Sequence, residues 1–154
     1  MQPWILFTRQ APPLFILLLL LLLFCVGNTP AVAAEPEIAI KKYDPVVYFT
    51  ESRAMLGTDE YTFSYHDMIW FFSSQKNRDI FAADPQAYAP QYDGYCAWAM
   101  TESRLARTDP EVWKIVDGKL YLNCSRSAYE KWARDIPAHI KKADRIWKEK
   151  FADR

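Results

Sequence analysis

Two stretches of the chain share one rhythm of apolar and polar positions. In YTFSYHDMIWFFSSQKNRDIFAADP, residues 61–85, apolar and polar side chains alternate up to His66-Asp67. An apolar run, Met68–Phe72, follows, and the spacing then turns helical toward Phe81. In VWKIVDGKLYLNCSRSAYEKWARDIP, residues 112–137, the same order returns. Its turn is Asp117-Gly118, a pair that accepts the positive φ of a tight hairpin. Each stretch therefore predicts strand, turn, strand and helix. In this reading Phe71 and Phe72 answer to Tyr121 and Leu122, Phe81 to Trp132, and Asp84-Pro85 to Ile136-Pro137. Proline at that place stops one helix and permits the start of the next.

Neither hairpin–helix unit can bury its apolar side alone, so the two are expected to pack together into one core. Hairpin–helix units are common, and chance similarity competes with true duplication as the explanation. Residues 137–151 carry Ile140, Ala143, Ile146 and Trp147 at helical spacing, which predicts a closing amphipathic helix. The expected class is α+β: one small domain of two β-hairpin–helix units, the second spanning about residues 111–136, plus a C-terminal helix.

The first 34 residues follow a different pattern. LFILLLLLLLFCV, residues 14–26, is an unbroken apolar run after Arg9. It is shorter than the roughly 20 residues a comfortable bilayer span needs. It suits a secretory h-region, with Val32 and Ala34 as small residues ahead of a cut before Glu35. An uncleaved N-terminal anchor is the alternative. Bulky Phe24 ahead of Cys25 disfavours lipidation there. The expectation is export to the periplasm or another extracytoplasmic space, leaving residues 35–154 as the working domain.

Without the leader's single charge, Arg9, that domain holds 18 basic and 19 acidic residues. No basic stripe is present, which argues against nucleic acid as a partner. A protein or small molecule of the cell envelope is the expected partner, with membrane contact only through an uncleaved leader.

Thiols and imidazoles are scarce: Cys25, Cys96, Cys124, His66 and His139 are all there is. Cys25 departs with the leader, so Cys96 and Cys124 enter an oxidising compartment as a pair. Cys96 lies in QYDGYCAWAM, on the connector between the two units, where Ala97–Met100 can begin a helix. A working thiol there needs partial exposure and a helix N-terminus or cation to favour the thiolate. The competing reading is a small buried hydrophobe. Cys124, at the start of the second unit's helix, is a disulfide partner for Cys96 or an incidental thiol.

Tyr92, Tyr95 and Trp98 around Cys96 form either a pocket for a flat ligand or an aromatic plug. His66 at the hairpin turn and His139 on the last helix are weak ligand candidates. Asp44, Asp84, Asp109 and Glu111 border prolines, where turn and cap roles are the default.

The segment from YDPVVYF through WFFSSQKNRDIFAADPQAY resembles the YHS domain, on Asp44, Pro45, Val46, Phe71, Phe72, Ser74, Phe81, Asp84, Pro85 and Tyr88. The match covers about residues 43–90. YAPQYDGYCAWA, DGKLYLN and the tryptophan-rich tail are similar to exported bacterial members of that family, extending the likeness to nearly all of residues 35–154. The resemblance implies a treble-clef-like fold and a link to metal handling. It also implies a reactive chalcogen at position 96, because some such relatives carry selenocysteine there.

The family's cysteine ligands do not carry over: their places hold Val47, Ser73 and Asn77, poor partners for soft ions. The functional expectation is a thiol-based redox role, or transient binding of a soft, copper-type metal, centred on Cys96 with Cys124, Met100 or His66. The alternative is a binding module without chemistry, built on the aromatic seam. No nucleophile–base pair marks the chain as a hydrolase, and an enzymatic role is not the favoured reading.

Overall fold

The computed structural model describes residues 36–151, which belong to one compact unit. The apolar run of residues 14–26 and the expected cut before Glu35 lie outside the described residues. The fold is α+β with two small sheets. Strand β1 (Glu37–Ile38) leads through a 3-10 turn (Ala39–Lys42) to helix α1 (Pro45–Thr50). The first hairpin follows, β2 (Thr58–Tyr65) and β3 (Met68–Phe72), then α2 (Gln75–Ala83) and the short α3 (Pro85–Tyr88). A second 3-10 turn (Gln91–Gly94) leads to α4 (Ala97–Thr101). The second hairpin is β4 (Asp109–Val116) and β5 (Lys119–Asn123), followed by α5 (Arg126–Trp132) and α6 (Ile136–Lys150). The first sheet has order β1-β3-β2, with β1 parallel to β3, and β4-β5 form the second.

Local chemistry accounts for these boundaries. Both hairpin turns place two consecutive residues at positive φ, His66-Asp67 and Asp117-Gly118, the conformation that matches the right-handed twist of the strands. Ser74 and Ser125 cap α2 and α5, their hydroxyls accepting the N–H of Asn77 at 3.2 Å and Ala128 at 3.1 Å. Asp84 and Asp135 cap α3 and α6 by accepting from Ala87 and Ala138.

The repeat is deeper than the two hairpins. Paired residues Thr58↔Phe72 and Thr62↔Phe71 flank an irregularity in the first hairpin, and Asp109↔Asn123 and Trp113↔Leu122 flank one in the second. Each member of one set lies 51 positions from its counterpart in the other. The serine caps, the aspartate caps and the positive-φ residues Ser52 and Ser103 keep the same interval. Upstream of α1 and α4 the interval is 52, because α1 has one residue more. There the turns Ile40-Lys41-Lys42 and Tyr92-Asp93-Gly94 both run through three consecutive positive-φ residues. So many shared backbone irregularities make this one unit used twice, and chance similarity does not account for them. The expected strand alignment is corrected by one residue: Trp70, not Phe71, corresponds to Tyr121, and Asp84 corresponds to Asp135. The turn and cap positions fix this register, and a one-residue slip would exchange the faces of the strand.

The two copies do share a core. Phe81 sits among the rings of Phe63, Tyr65, Trp70 and Phe72, with centroids 5.1–6.1 Å away. Leu120 and Leu122 from β5 join this cluster. Tyr121, between them, points to the other face, where it meets Tyr92, Met100, Trp132 and the α6 residues Ala143 and Ile146. Strand β5 is thus buried on both faces, the alternation expected of a central element. Helix α6 covers the second core, and its counterpart in the first copy is only the four-residue α3.

Candidate functional site

Cys96 is placed by the second 3-10 turn. Gly94 there has φ of 77°, and a Cβ on it would lie 2.8 Å from the Ile40 side chain, so the turn needs glycine. The chain then extends through Tyr95, and Cys96 becomes the N-cap of α4. Its N–H donates to the Ala106 carbonyl at 3.0 Å. Its sulfur accepts the N–H of Cys124 at 3.1 Å and of Ala99 at 3.5 Å. The S–H faces Asn123 Oδ1 at 3.8 Å.

Cys96 is 0% exposed, which corrects the expectation of a partly exposed working thiol. The connector is roofed by its own helix and by the start of α5, with Ala99 and Ala128 packed on the sulfur's cluster. Burial pushes the thiol up to about 11; the N–H groups of Ala99 and Cys124 oppose this, and the Cys124 side chain adds to the rise. At neutral pH Cys96 rests as a protonated thiol.

Cys124 is exposed, and both cysteines are free. With its N–H 3.1 Å from the Cys96 sulfur, standard bond lengths put the Cys124 Cα within about 4.6 Å of that sulfur. One side chain is buried and the other open to solvent, within reach of each other.

The other sequence candidates are elsewhere. Met100 is fully buried in the α6-covered core. His66 is exposed, stacked on Tyr65 and 3.3 Å from Asp93. His139 Nδ1 lies 2.7 Å from the Trp132 carbonyl, and its ring meets Trp98 edge-on. Among the described residues no group of three or more His, Cys, Asp or Glu side chains is placed to hold a metal ion. Of the expected set, Cys124 is joined to Cys96 by its N–H on the sulfur, Met100 packs in the α6-covered cluster, and His66 lies beside Asp93.

The aromatic trio divides as well. Tyr92 is buried and donates to Asp144 at 2.7 Å; burial first, then this carboxylate, push its phenol up. Trp98 packs against both the Cys96 cluster and the second core. Tyr95 lies under the Arg107 guanidinium and lines a seam cleft with Glu37, Met68 and Asp93.

Two buried polar residues stand outside the expected set, one in each copy. Asp44, expected to serve a turn, is a fully buried hub in the first copy. It accepts from Val46 N at 2.9 Å, Ser73 N at 2.8 Å, Ser73 Oγ at 2.7 Å and Asn77 Nδ2 at 2.8 Å. Two positions that the resemblance assigns to cysteine, Ser73 and Asn77, are thus tied to Asp44, while Val47 is buried. Asn123 is the second: fully buried, it accepts the Trp98 N–H at 3.2 Å through Oδ1, and its Nδ2 has no partner.

No family model matches the chain, and neither curated proteins nor solved structures give a match.

Proposed function

We propose that this is an exported YHS-type protein whose working unit is the dithiol formed by Cys96 and Cys124, cycling with its disulfide. One observation carries the reading: the backbone N–H of the exposed Cys124 donates to the sulfur of the buried Cys96 at 3.1 Å, and the Cys124 side chain is close enough to act on the Cys96 thiol. Oxidation removes two electrons and two protons from the pair and closes one S–S bond. A disulfide of an envelope partner or small molecule takes up both and becomes two thiols.

The treble-clef-like, YHS assignment is supported by Asp44, Pro45, Phe72, Phe81 and Tyr88, and export by the apolar run ahead of PAVAAE. Soft-metal binding has less support, since of the expected set only Cys124 is joined to Cys96 and a stable structural site normally uses four ligands. The aromatic binding-module reading is weakened by the burial of Tyr92.

The test is intact mass after alkylation under denaturing conditions, on chain equilibrated in graded dithiol–disulfide buffers. A cooperative passage from two alkylated thiols to none, with loss of two hydrogens, supports the reading. Two free thiols at every poise would end it. Copper(I) titration of the reduced chain is the parallel check: tight stoichiometric uptake would return the metal reading to first place.

A further inference from the structure

The two copies of the repeated unit place Asp44 and Cys96 at the same point of the fold. Asp44 N–H donates to the Met55 carbonyl at 2.8 Å, and Cys96 N–H to the Ala106 carbonyl at 3.0 Å. Each begins a short helix as its N-cap. Each side chain receives the N–H of the first residue after the second hairpin strand: Ser73 for Asp44, Cys124 for Cys96. In the first copy this socket is filled by a fully buried carboxylate. Its donors there are the backbone N–H groups of Val46 and Ser73 with the Ser73 hydroxyl and the Asn77 amide. In the second copy the Cys124 N–H keeps the place of the Ser73 N–H, the Ala99 N–H joins it, and these two backbone donors address a sulfur.

Resting on the dithiol reading, we infer that Cys124 is the thiol that exchanges with a substrate disulfide, and Cys96 the resolving thiol whose transient thiolate is received by this socket. The roles follow from access. An incoming disulfide reaches the exposed Cys124 and not the fully buried Cys96. Cys124, having released its proton to solvent, attacks one sulfur of R–S–S–R′; that bond breaks, and R′S⁻ leaves and takes a proton from water. A mixed disulfide, Cys124–S–S–R, remains. Cys96 then attacks the Cys124 sulfur while its proton passes to the departing RS⁻, and the Cys96–Cys124 bond closes. The sum is two protein thiols and one substrate disulfide becoming one protein disulfide and two substrate thiols. The substrate class is a disulfide open to solvent, on a small molecule or at a partner's surface, because only the Cys124 side is accessible.

The experiment mixes the reduced full chain with oxidised glutathione, or separately with a folded protein carrying an exposed disulfide, and follows intact mass with time. The wild-type chain is expected to pass through a single adduct and finish two hydrogens lighter. Cys96→Ser is expected to stop at one adduct mapped to Cys124. Cys124→Ser is expected to react at least about tenfold more slowly, its remaining thiol being buried. A Cys124→Ser chain that takes its adduct on Cys96 at the wild-type rate would overturn the division of roles while leaving the dithiol reading standing. A wild-type chain that keeps its adduct and does not close would instead overturn the dithiol reading.

Cys96→Asp separates the socket from general folding effects, since it installs the side chain the first copy already uses. It is expected to fold and to stall with an adduct on Cys124. Its failure to fold, where Cys96→Ser folds, would remove the socket from the argument. Turnover with only one of the two substrates identifies the source of the disulfide.

Discussion

The N–H of Cys124 points at the sulfur of Cys96 as the N–H of Ser73 points at the carboxylate of Asp44. The first copy satisfies its acceptor with four donors and encloses it, a static arrangement. The second gives its acceptor fewer donors and sets an exposed thiol beside it. One backbone design thus supports a structural knot in one half and a reactive-looking pair in the other.

The knot predicts a large local dependence on Asp44. Asp44→Ala leaves Asn77 Nδ2 and the donors of Ser73 facing an empty, buried place. The expected loss is about 3 kcal/mol or more, as for removing an acceptor that leaves buried donors unsatisfied. Ser73→Ala, which removes one hydroxyl and keeps the N–H bond, is expected to cost about 1 kcal/mol. Urea midpoints of both variants at constant slope decide this; equal losses would mean that Asp44 acts only as a cap.

How much of this was legible beforehand differs by element. The hairpins and their helices were readable because turn dipeptides, alternation and serine caps act locally. Helix α1 was missed because VVYF reads as a strand, and only the Asp44-Pro45 start and burial against the second hairpin make it helical. Cys96 was identifiable as unusual, but its burial was not, since the covering α5 comes from about thirty residues later. The link from Asp44 to Ser73 and Asn77 joins residues about thirty positions apart, so no local pattern displays it.

Alkaline pH is expected to loosen the fold through Cys96. Its thiol is raised from 9.0 to about 11 when folded, so between those values the unfolded chain has lost a proton that the folded chain retains. Stability tied to this group is intact below pH 9 and falls as pH rises to about 11. The full loss is on the order of 2–3 kcal/mol. Tyr48, Tyr92 and Tyr121 are raised too, chiefly by burial, and act in the same direction above pH 10. Chemical denaturation at pH 8, 9 and 10 should show a slope in the wild-type chain that Cys96→Ser flattens. An unchanged slope in the variant would assign the effect elsewhere.

Gly57 is fixed by crowding and not by its dihedral angles. A Cβ there would stand 2.4 Å from the Phe71 carbonyl carbon and 2.5 Å from the Phe72 nitrogen, both backbone atoms of β3. Backbone cannot rotate away as a side chain can, so Gly57→Ala must push the entry of β2 off β3. The expected cost is at least about 2 kcal/mol, within the range for overpacking. Gly118→Ala meets nothing within 4 Å and pays only for positive φ, about 1 kcal/mol. Thermal unfolding of the two variants side by side should rank Gly57→Ala as clearly the worse; the reverse order would contradict this packing.

Closing the Cys96–Cys124 bond should stabilise the chain as well as serve exchange. The bond ties positions 28 residues apart, a loop for which chain-entropy reasoning gives about 3.6 kcal/mol, less any native strain. The reduced fold already holds the two side chains in reach, so little rearrangement is required and most of that figure should survive. The oxidised wild-type chain is then expected to unfold at higher urea than the reduced chain by the equivalent of about 2–4 kcal/mol. Cys124→Ser should show no dependence on reductant at all. A disulfide that forms and yet leaves the urea midpoint unchanged would mean that closure strains α4 or the start of α5 by as much as it constrains the unfolded chain. By linkage the expected gain favours closing of the Cys96–Cys124 bond at the expense of a substrate disulfide, the direction of exchange proposed above.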